Sequence, residues 1–168
     1  MLVKRDALER ASGLETIRSE LIDDCALAQR IKQTGGSIWM GLADATQSIR
    51  EYGTFSEVGD MIARSAYTQL RHCVPLLAAT LAGMIVTYLL PPVLALAAEP
   101  AAALPGGCAW LLMAVTYAPM LRYYGRSLLC APLLPLTACF YMWATVLSAA
   151  RWRRGVGAAW KGRRGAAR

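Results

Sequence analysis

Two adjacent carboxylates, Asp23 and Asp24, lie in the segment LIDDCALAQRIKQTGG at residues 21–36. A carboxylate can act as a general base that takes a proton from a hydroxyl group. Two carboxylates at close range disfavour full ionisation of both, which can raise one pKa toward a useful value. The helix dipole also favours anions in a first turn. Residue type alone favours this helix-start interpretation, so a catalytic role needs support from the surrounding sequence.

A second group of polar side chains lies in TFSEVGDMIARSAYTQLRH, residues 54–72. Apolar residues recur there at helical spacing, Ser56 is the expected cap, and the helix runs straight into an apolar segment. Such a helix is typical of the membrane interface, where Arg64 and Arg71 can extend to lipid headgroups. His72, the only histidine, is more typical of an interfacial residue than of a catalyst.

The first 72 residues have the charge balance of an ordinary soluble segment, with nine basic and ten acidic residues. The pattern predicts a short helix that Gly13 ends, and then a helix through the acidic pair that Gly35 and Gly36 end. SIWMGLADA, residues 37–45, has the composition of a short strand. A helix followed through a glycine turn by a strand is typical of an α/β domain.

Three uncharged stretches follow, residues 73–98, 100–121 and 127–150, and each is long enough to cross a bilayer, since a span needs roughly 20 residues. Pro91 and Pro92 are expected to kink or end the first helix, and Pro105 predicts that the second begins nearer Gly106. Three full crossings would separate the soluble part from the basic tail. An even number, through a bent hairpin in the first stretch or one re-entrant or interfacial stretch, would keep them together.

The tail after residue 150 carries seven basic residues and no acid, which accounts for the net charge of +7. Positive charge directly after an apolar span indicates a cytoplasmic face and anionic lipid rather than a nucleic-acid partner. The five cysteines have the spacing neither of a disulfide framework nor of a metal site. No signal peptide is predicted, because MLVKRDALER is polar.

The ordered motifs resemble family 2 glycosyltransferases, and most closely their hopene-associated, ceramide-glucosyltransferase-like branch. The resemblance rests on the acidic pair with Leu27, Arg30 and Gly35 after it, and on TQLR, the Pro-Pro span, AWLLM, PMLRYYG and WKGR. It implies a bacterial inner-membrane, multi-pass enzyme with its catalytic segment and tail in the cytoplasm. That enzyme moves a sugar from a nucleotide-sugar donor to a lipid hydroxyl, hopanoid or sphingolipid-like, with inversion.

The same resemblance assigns roles to the two groups of polar side chains. It makes Asp24 the general base that takes the acceptor proton, and Asp23 the residue that orients Asp24 or a neighbouring group. The segment around Gln69 and Arg71 corresponds to the family motif Gln-x-x-Arg-Trp, which reaches the acceptor or the diphosphate, and Arg64 is a further candidate. The strict register puts Thr68 in place of the Gln and His72 in place of the Trp.

The resemblance also predicts a division of the chain. Residues 1–55 would be the C-terminal remnant of an α/β, GT-A-like catalytic domain, 56–72 an interfacial amphipathic helix, 73–150 a transmembrane region and 151–168 a basic cytoplasmic tail. The donor-binding half and its Asp-x-Asp motif are not in this sequence. The chain alone is therefore expected to bind no metal and to be inactive, whereas the full-length enzyme would use Mg²⁺ or Mn²⁺.

Two other functions fit the residues without the resemblance. A small membrane interaction or scaffold protein would use the spans and the basic tail, with the aspartates only starting a helix. A transporter subunit is disfavoured, because the spans lack the buried ionisable residues that mark a transport path.

Overall fold

The computed structural model of the protein describes residues 2–17, 22–43, 52–155, 159–160 and 163–164. The chain divides into two compact units, residues 1–49 and 50–168. Most described residues of both units are helical.

The first unit consists of helix α1 (Arg5–Arg10), a 3-10 turn (Glu15–Ile17) and helix α2 (Asp23–Gln33). Its core is small, with four buried side chains from these elements and their connection, Ala11, Ile17, Leu27 and Ile31. Leu27 and Ile31 lie four residues apart and therefore face the same side of α2. The predicted apolar stripe of this helix is confirmed at these two positions.

The ends of α1 and α2 follow one local rule. After α2, Gly35 takes a φ of 77°, its N–H donates to the Lys32 carbonyl at 3.1 Å, and the Gly36 N–H donates to the Ile31 carbonyl at 2.8 Å. This pair of hydrogen bonds is the Schellman motif, which satisfies the last carbonyls of a helix. The predicted helix end at Gly35 is therefore confirmed. After α1 the left-handed position directly after the C-cap is taken by Ser12, with a φ of 65°, and Gly13 follows it with a φ of 71°.

The predicted α/β fold of this unit is wrong. Its described residues contain no strand, and residues 37–43, the described part of the predicted strand, have no regular secondary structure. An isolated strand leaves its backbone N–H and C=O groups unpaired, so it needs a second strand beside it. The described part of the unit offers no such partner. The remainder of the predicted strand, residues 44–45, lies outside the described residues.

The second unit begins with helix α3 (Phe55–Gln69). Thr54 caps it, not Ser56 as predicted: the Thr54 side chain accepts the Glu57 N–H, and Glu57 accepts the Thr54 N–H in return. This capping box satisfies two backbone donors at the start of the helix.

The first apolar stretch is one continuous helical run of three parts, α4 (Val74–Met84), a π-helical turn (Ile85–Leu89) and α5 (Leu90–Ala95). Neither the predicted end at Pro91 and Pro92 nor the bent hairpin is found. A proline removes one N–H donor and its ring crowds the carbonyl four residues earlier. The π turn directly before the prolines widens the helix at that point, which is how such turns accommodate an irregularity.

The second and third apolar stretches form helix α6 (Pro100–Tyr123) and, after a 3-10 segment (Leu128–Leu133), helix α7 (Leu134–Arg153). Helix α6 begins at Pro100 rather than near Gly106, because a proline in the first turn loses no helical hydrogen bond. Gly106 instead allows close packing on α5, since an added Cβ would lie 2.6 Å from the Ala95 nitrogen.

Three helical segments are long and apolar enough to cross a membrane, Val74–Ala95, Pro100–Tyr123 and Leu128–Arg153. The chain is therefore a membrane protein by the length and composition of its helices. In the tail, β1 (Ala159–Trp160) and β2 (Arg163–Arg164) form a short antiparallel pair.

Candidate functional site

The acidic pair occupies the first turn of α2, and both carboxylates are exposed. Asp23 Oδ1 accepts the Asp24 N–H at 3.0 Å, and Asp24 Oδ1 accepts the Cys25 N–H at 2.8 Å. These bonds satisfy N–H groups that have no partner within the helix. The acidic pair therefore has a structural role at the start of α2. The second oxygen of each carboxylate is exposed and can still accept a hydrogen bond from the hydroxyl group of a substrate.

Cys25 is the residue whose chemistry the acidic pair alters. The partial burial of its side chain raises the pKa of the Cys25 thiol, and the nearby negative charge of Asp24 raises it further. A raised pKa keeps the thiol protonated near neutral pH, where the thiolate is the reactive form.

Helix α3 is held against α7 by a stripe of small residues. On α3 the buried positions are the small residues Gly59 and Ala63 and the larger Tyr67, each four residues apart. On α7 the small residues Ala144 and Ser148 are buried at the same spacing. A Cβ at Gly59 would lie 2.6 Å from the Trp143 ring, so the two helices approach closely there. Small residues at this spacing are typical of helices that pack in or beside a membrane.

Polar contacts fix the same pair of helices in register. Asp60 and Arg151 form an ion pair of 2.6 Å, and the Tyr67 N–H donates to the buried Ser148 hydroxyl at 3.1 Å. The ion pair is about half exposed on both sides, so it contributes no more than ~1 kcal/mol. The buried hydrogen bond and the close packing therefore determine the position of α3.

Arg71 and His72 follow the end of α3 in an unusual backbone conformation. Their φ angles are 52° and 53°, in the left-handed region that favours glycine. The Arg71 N–H donates to the Thr68 carbonyl at 2.9 Å and the His72 N–H to the Tyr67 carbonyl at 3.0 Å, which is again the Schellman motif. Arg71, whose side chain is exposed, therefore takes the left-handed backbone position that Gly35 takes after α2 and Gly125 takes after α6.

Aromatic rings enclose His72. Its imidazole stacks on the Trp152 indole with ring centroids 4.6 Å apart and an interplanar angle of 17°, and Tyr67 meets it edge-on at 5.4 Å. The Tyr67 hydroxyl donates to the His72 carbonyl at 2.9 Å, and Thr68 Oγ1 lies 3.4 Å from His72 Nε2. His72 is therefore a structural part of the α3–α7 contact, while Arg71 beside it is exposed.

The predicted site residues fall into two groups. Gln69, Arg71 and His72 are brought together at the end of α3, with Gln69 and Arg71 exposed, and Arg64 is partly buried earlier on the same helix. Asp23 and Asp24 belong to the other unit. The end of α3 therefore brings Gln69, Arg71 and His72 close together. A catalytic or binding role for these residues, or for the acidic pair, stays a prediction.

Sequence reasoning missed the support that α7 gives to α3. Trp152, Ser148 and the Asp60–Arg151 pair have no place in the motifs from which the sites were predicted. The available signal was the recurrence of Ala144, Ser148 and Trp152 at intervals of four, which places them on one face of a helix.

The described residues contain no group of three or more His, Cys, Asp or Glu that could hold a metal ion. Each aspartate of the acidic pair already accepts a backbone N–H, and no third ligand accompanies the pair in the described residues. This donor set does not fit a divalent metal, so no step of the reaction is assigned to one here.

Comparison with known proteins assigns the class of the chain. Residues 1–164 match the model of glycosyl transferase family 21. The chain belongs to glycosyl transferase family 21. No curated protein and no solved structure matches it. The glycosyltransferase assignment is confirmed at this level, while the hopene-associated branch and the restriction to a C-terminal part are not.

For a member of family 21, the described residues provide a membrane-helix region and two exposed polar groups. Membership in a transferase family implies a nucleotide-sugar donor and an acceptor, and the apolar helices imply contact with lipid. The acidic group offers carboxylates that can accept a proton, and the basic group offers a guanidinium that can bind a phosphate.

Proposed function

We propose that this chain is the membrane-anchoring, acceptor-side part of an inverting glycosyltransferase, which moves a sugar from a nucleotide-sugar donor to the hydroxyl of a hopanoid or sphingolipid-like lipid. The observation that carries the proposal is the match to family 21 over residues 1–164 in a chain with three membrane-length helices. We also propose the division into residues 1–55 as the acceptor-side part, 56–72 as an interfacial helix, 73–150 as a transmembrane region and 151–168 as a basic tail, without the α/β fold that was predicted for the first of them.

In the proposed reaction, the acceptor hydroxyl attacks the anomeric carbon of the donor sugar. A new carbon–oxygen bond forms, the bond to the diphosphate breaks, and the nucleotide diphosphate leaves with the electron pair. Asp24 takes the hydroxyl proton through its second carboxylate oxygen, and Asp23 orients it. Binding of the diphosphate or the acceptor falls to Arg71 and Gln69, with Arg64 and His72 contributing to the same region.

The packing of α3 suits a lipid acceptor. The helix ends beside the last turn of α7, and α4 begins two residues after His72. Gln69 and Arg71 therefore stand at the point where two membrane-length helices end, which is the level of the lipid headgroups. A lipid could present its hydroxyl there without leaving the bilayer.

The same contact supports an even number of crossings. His72 directly precedes the first apolar run and stacks on Trp152 at the end of the last one, so both ends lie at one side of the membrane. We infer an even number of crossings, with one of the three apolar stretches re-entrant or interfacial, and with a turn of the chain at the 3-10 segment between α6 and α7. The Trp110 Nε1–H donates to the Pro132 carbonyl at 3.0 Å, which folds that segment back along α6.

The first experiment measures sugar transfer to extracted lipids by membranes that carry this chain, alone and joined to a donor-binding half. We expect transfer only in the joined form, and a loss of about 10²- to 10⁴-fold in Asp24→Asn, the range that a general base contributes. The matched control is Asp6→Asn, which removes an exposed carboxylate from the first turn of α1.

Retained activity in Asp24→Asn would overturn the base assignment. Absence of transfer from every donor tried would instead favour the membrane interaction protein. The topology is tested separately with single cysteines at Thr54, Glu99 and Arg154 in a cysteine-free chain. A membrane-impermeant maleimide should label positions 54 and 154 from one side, and the side from which it labels position 99 then shows whether the first apolar stretch crosses.

A further inference from the structure

The segment Ile38–Leu42, which follows α2, exposes four large apolar side chains. Trp39 is 87% and Met40 95% exposed, and Ile38 and Leu42 are about half exposed. Apolar residues scattered singly over a surface are ordinary, but a continuous apolar patch marks an interaction site. This patch belongs to the first unit, whose described residues form a core of four buried side chains.

The pattern of apolar residues in this segment suits a lipid bilayer better than the surface of one partner protein. Side chains of an extended chain alternate between two sides, so a strand that docks on a partner buries one alternate set. Here both the even-numbered positions and Trp39 are apolar and exposed. The Trp39 ring also lies over Gly41, where any added Cβ would collide with it.

Basic residues accompany the patch. Arg30 and Lys32 lie in the last turn of α2 and are both exposed, and they are the only charged residues between positions 30 and 43. Cations beside aromatic and aliphatic side chains are the combination that binds a bilayer surface, with the charges on anionic headgroups and the apolar groups below them. Charge and apolarity therefore both favour a lipid surface as the partner.

The length of the connecting chain limits how far this segment can lie from the second unit. Beyond residue 43 it continues to α3, where the Phe55 ring contacts Phe140 of α7 edge-on at 6.2 Å. The nine peptide units between residues 43 and 52 can span about 30 Å at most. A short tether gives the segment a high effective concentration at the membrane, so the segment can bind there even if its intrinsic affinity for lipid is weak.

We propose that Ile38–Leu42 inserts into the headgroup region of the bilayer that holds α4–α7, with Trp39 and Met40 deepest and with Arg30 and Lys32 on anionic headgroups. The segment is thus a membrane-docking loop of the first unit. The inference rests on the three membrane-length helices and is independent of the transferase reaction.

The test uses the intact chain in vesicles of phosphatidylcholine that contain a lipid with a diazirine on its acyl chain. After illumination, peptide mapping should find lipid attached to residues 37–43. Trp39→Ser combined with Met40→Ser should reduce this labelling about tenfold, the factor expected for the loss of buried apolar side chains. The matched control is Leu2→Ser, which changes an equally exposed apolar residue of the same unit.

Addition of phosphatidylglycerol should increase the labelling of the unaltered chain, and Lys32→Gln should diminish that increase, because the charge term requires anionic lipid. Labelling of helices α4–α7 without labelling of residues 37–43 would overturn the proposal. Cross-links from residues 37–43 to a second chain instead of lipid would overturn it in favour of a protein partner.

Discussion

Helices α2 and α3 carry the two candidate groups, and they are positioned by different means. Helix α2 is defined by signals within a few residues of its own ends, acidic side chains on its first N–H groups and Gly35 after its last turn. Helix α3 also has a local start in its capping box, but its buried face is fitted to α7, far along the chain. Local signals suffice to form a helix, whereas long-range packing is needed to place one.

The two helices also end differently. Both close with the same pair of backbone hydrogen bonds, yet α2 uses glycine in the left-handed position and α3 uses Arg71. A left-handed residue other than glycine costs roughly 1–2 kcal/mol. Helix α3 thus has the less stable ending. The residue in the left-handed position is Arg71, whose exposed guanidinium is the group that we propose for substrate binding.

The largest expected effect comes from Tyr67→Ala, which removes the most deeply buried ring of the α3–α7 contact. The cavity should destabilise this contact by about 3–5 kcal/mol, the range for large aromatic side chains. Hydrogen exchange of the intact chain in detergent should show α3 amides losing protection while α2 amides do not change. Tyr67→Phe is the matched control, because it keeps the ring and loses only the bond to the His72 carbonyl. Equal protection in both variants would contradict the packing role of the ring.

Leu27→Ala makes the corresponding test in the first unit. Leu27 is as deeply buried as Tyr67, at 2% exposure, and its truncation should cost about 2–5 kcal/mol. Because the core around it is so small, we expect the amides of α1 and α2 to lose protection together, with α3 unaffected. Retained protection in α1 would show that the four buried residues do not act as one core.

Arg71→Gly should separate stability from function at the end of α3. Glycine adopts the left-handed conformation without strain, so the variant should gain about 1 kcal/mol in stability. It should at the same time lose sugar transfer in the joined form of the enzyme, because the guanidinium is gone. Gly125→Ala is the reverse control, since Gly125 has a φ of 62° and open space around it. A loss of stability in Arg71→Gly would mean that the arginine side chain itself holds the turn.

The smallest effect concerns the thiol beside the acidic pair. Asp24→Asn removes one of the causes that raise the pKa of Cys25, so the thiolate fraction at a given pH should increase. The variant should therefore be alkylated by iodoacetamide several-fold faster near neutral pH, and the difference should vanish at pH values well above the thiol pKa. Asp23→Asn should have the weaker effect. Identical alkylation rates in all three proteins would contradict the influence of Asp24.

The sequence predicted the helices well and the strand badly, for one physical reason. Helical hydrogen bonds are formed within the segment, so the stripe of Leu27 and Ile31 and the glycine ending of α2 could be read directly. A strand requires a partner elsewhere in the chain, and the composition of residues 37–45 cannot reveal whether one exists. The helix does not end at Pro91 and Pro92, because the π turn at Ile85–Leu89 accommodates both prolines within a continuous run.

By itself, the sequence determined the apolar stretches, the basic tail, the start and the glycine end of α2, and the motifs that point to a glycosyltransferase. These depend on composition or on residues at most a few positions apart. Only the tertiary structure decided that α3 packs along α7, that Trp152 stacks on His72, and that Arg71 takes a glycine-like conformation. The two contacts between α3 and α7 join residues about 80 positions apart, and a contact of that separation is set by the shape of the whole unit rather than by any local pattern.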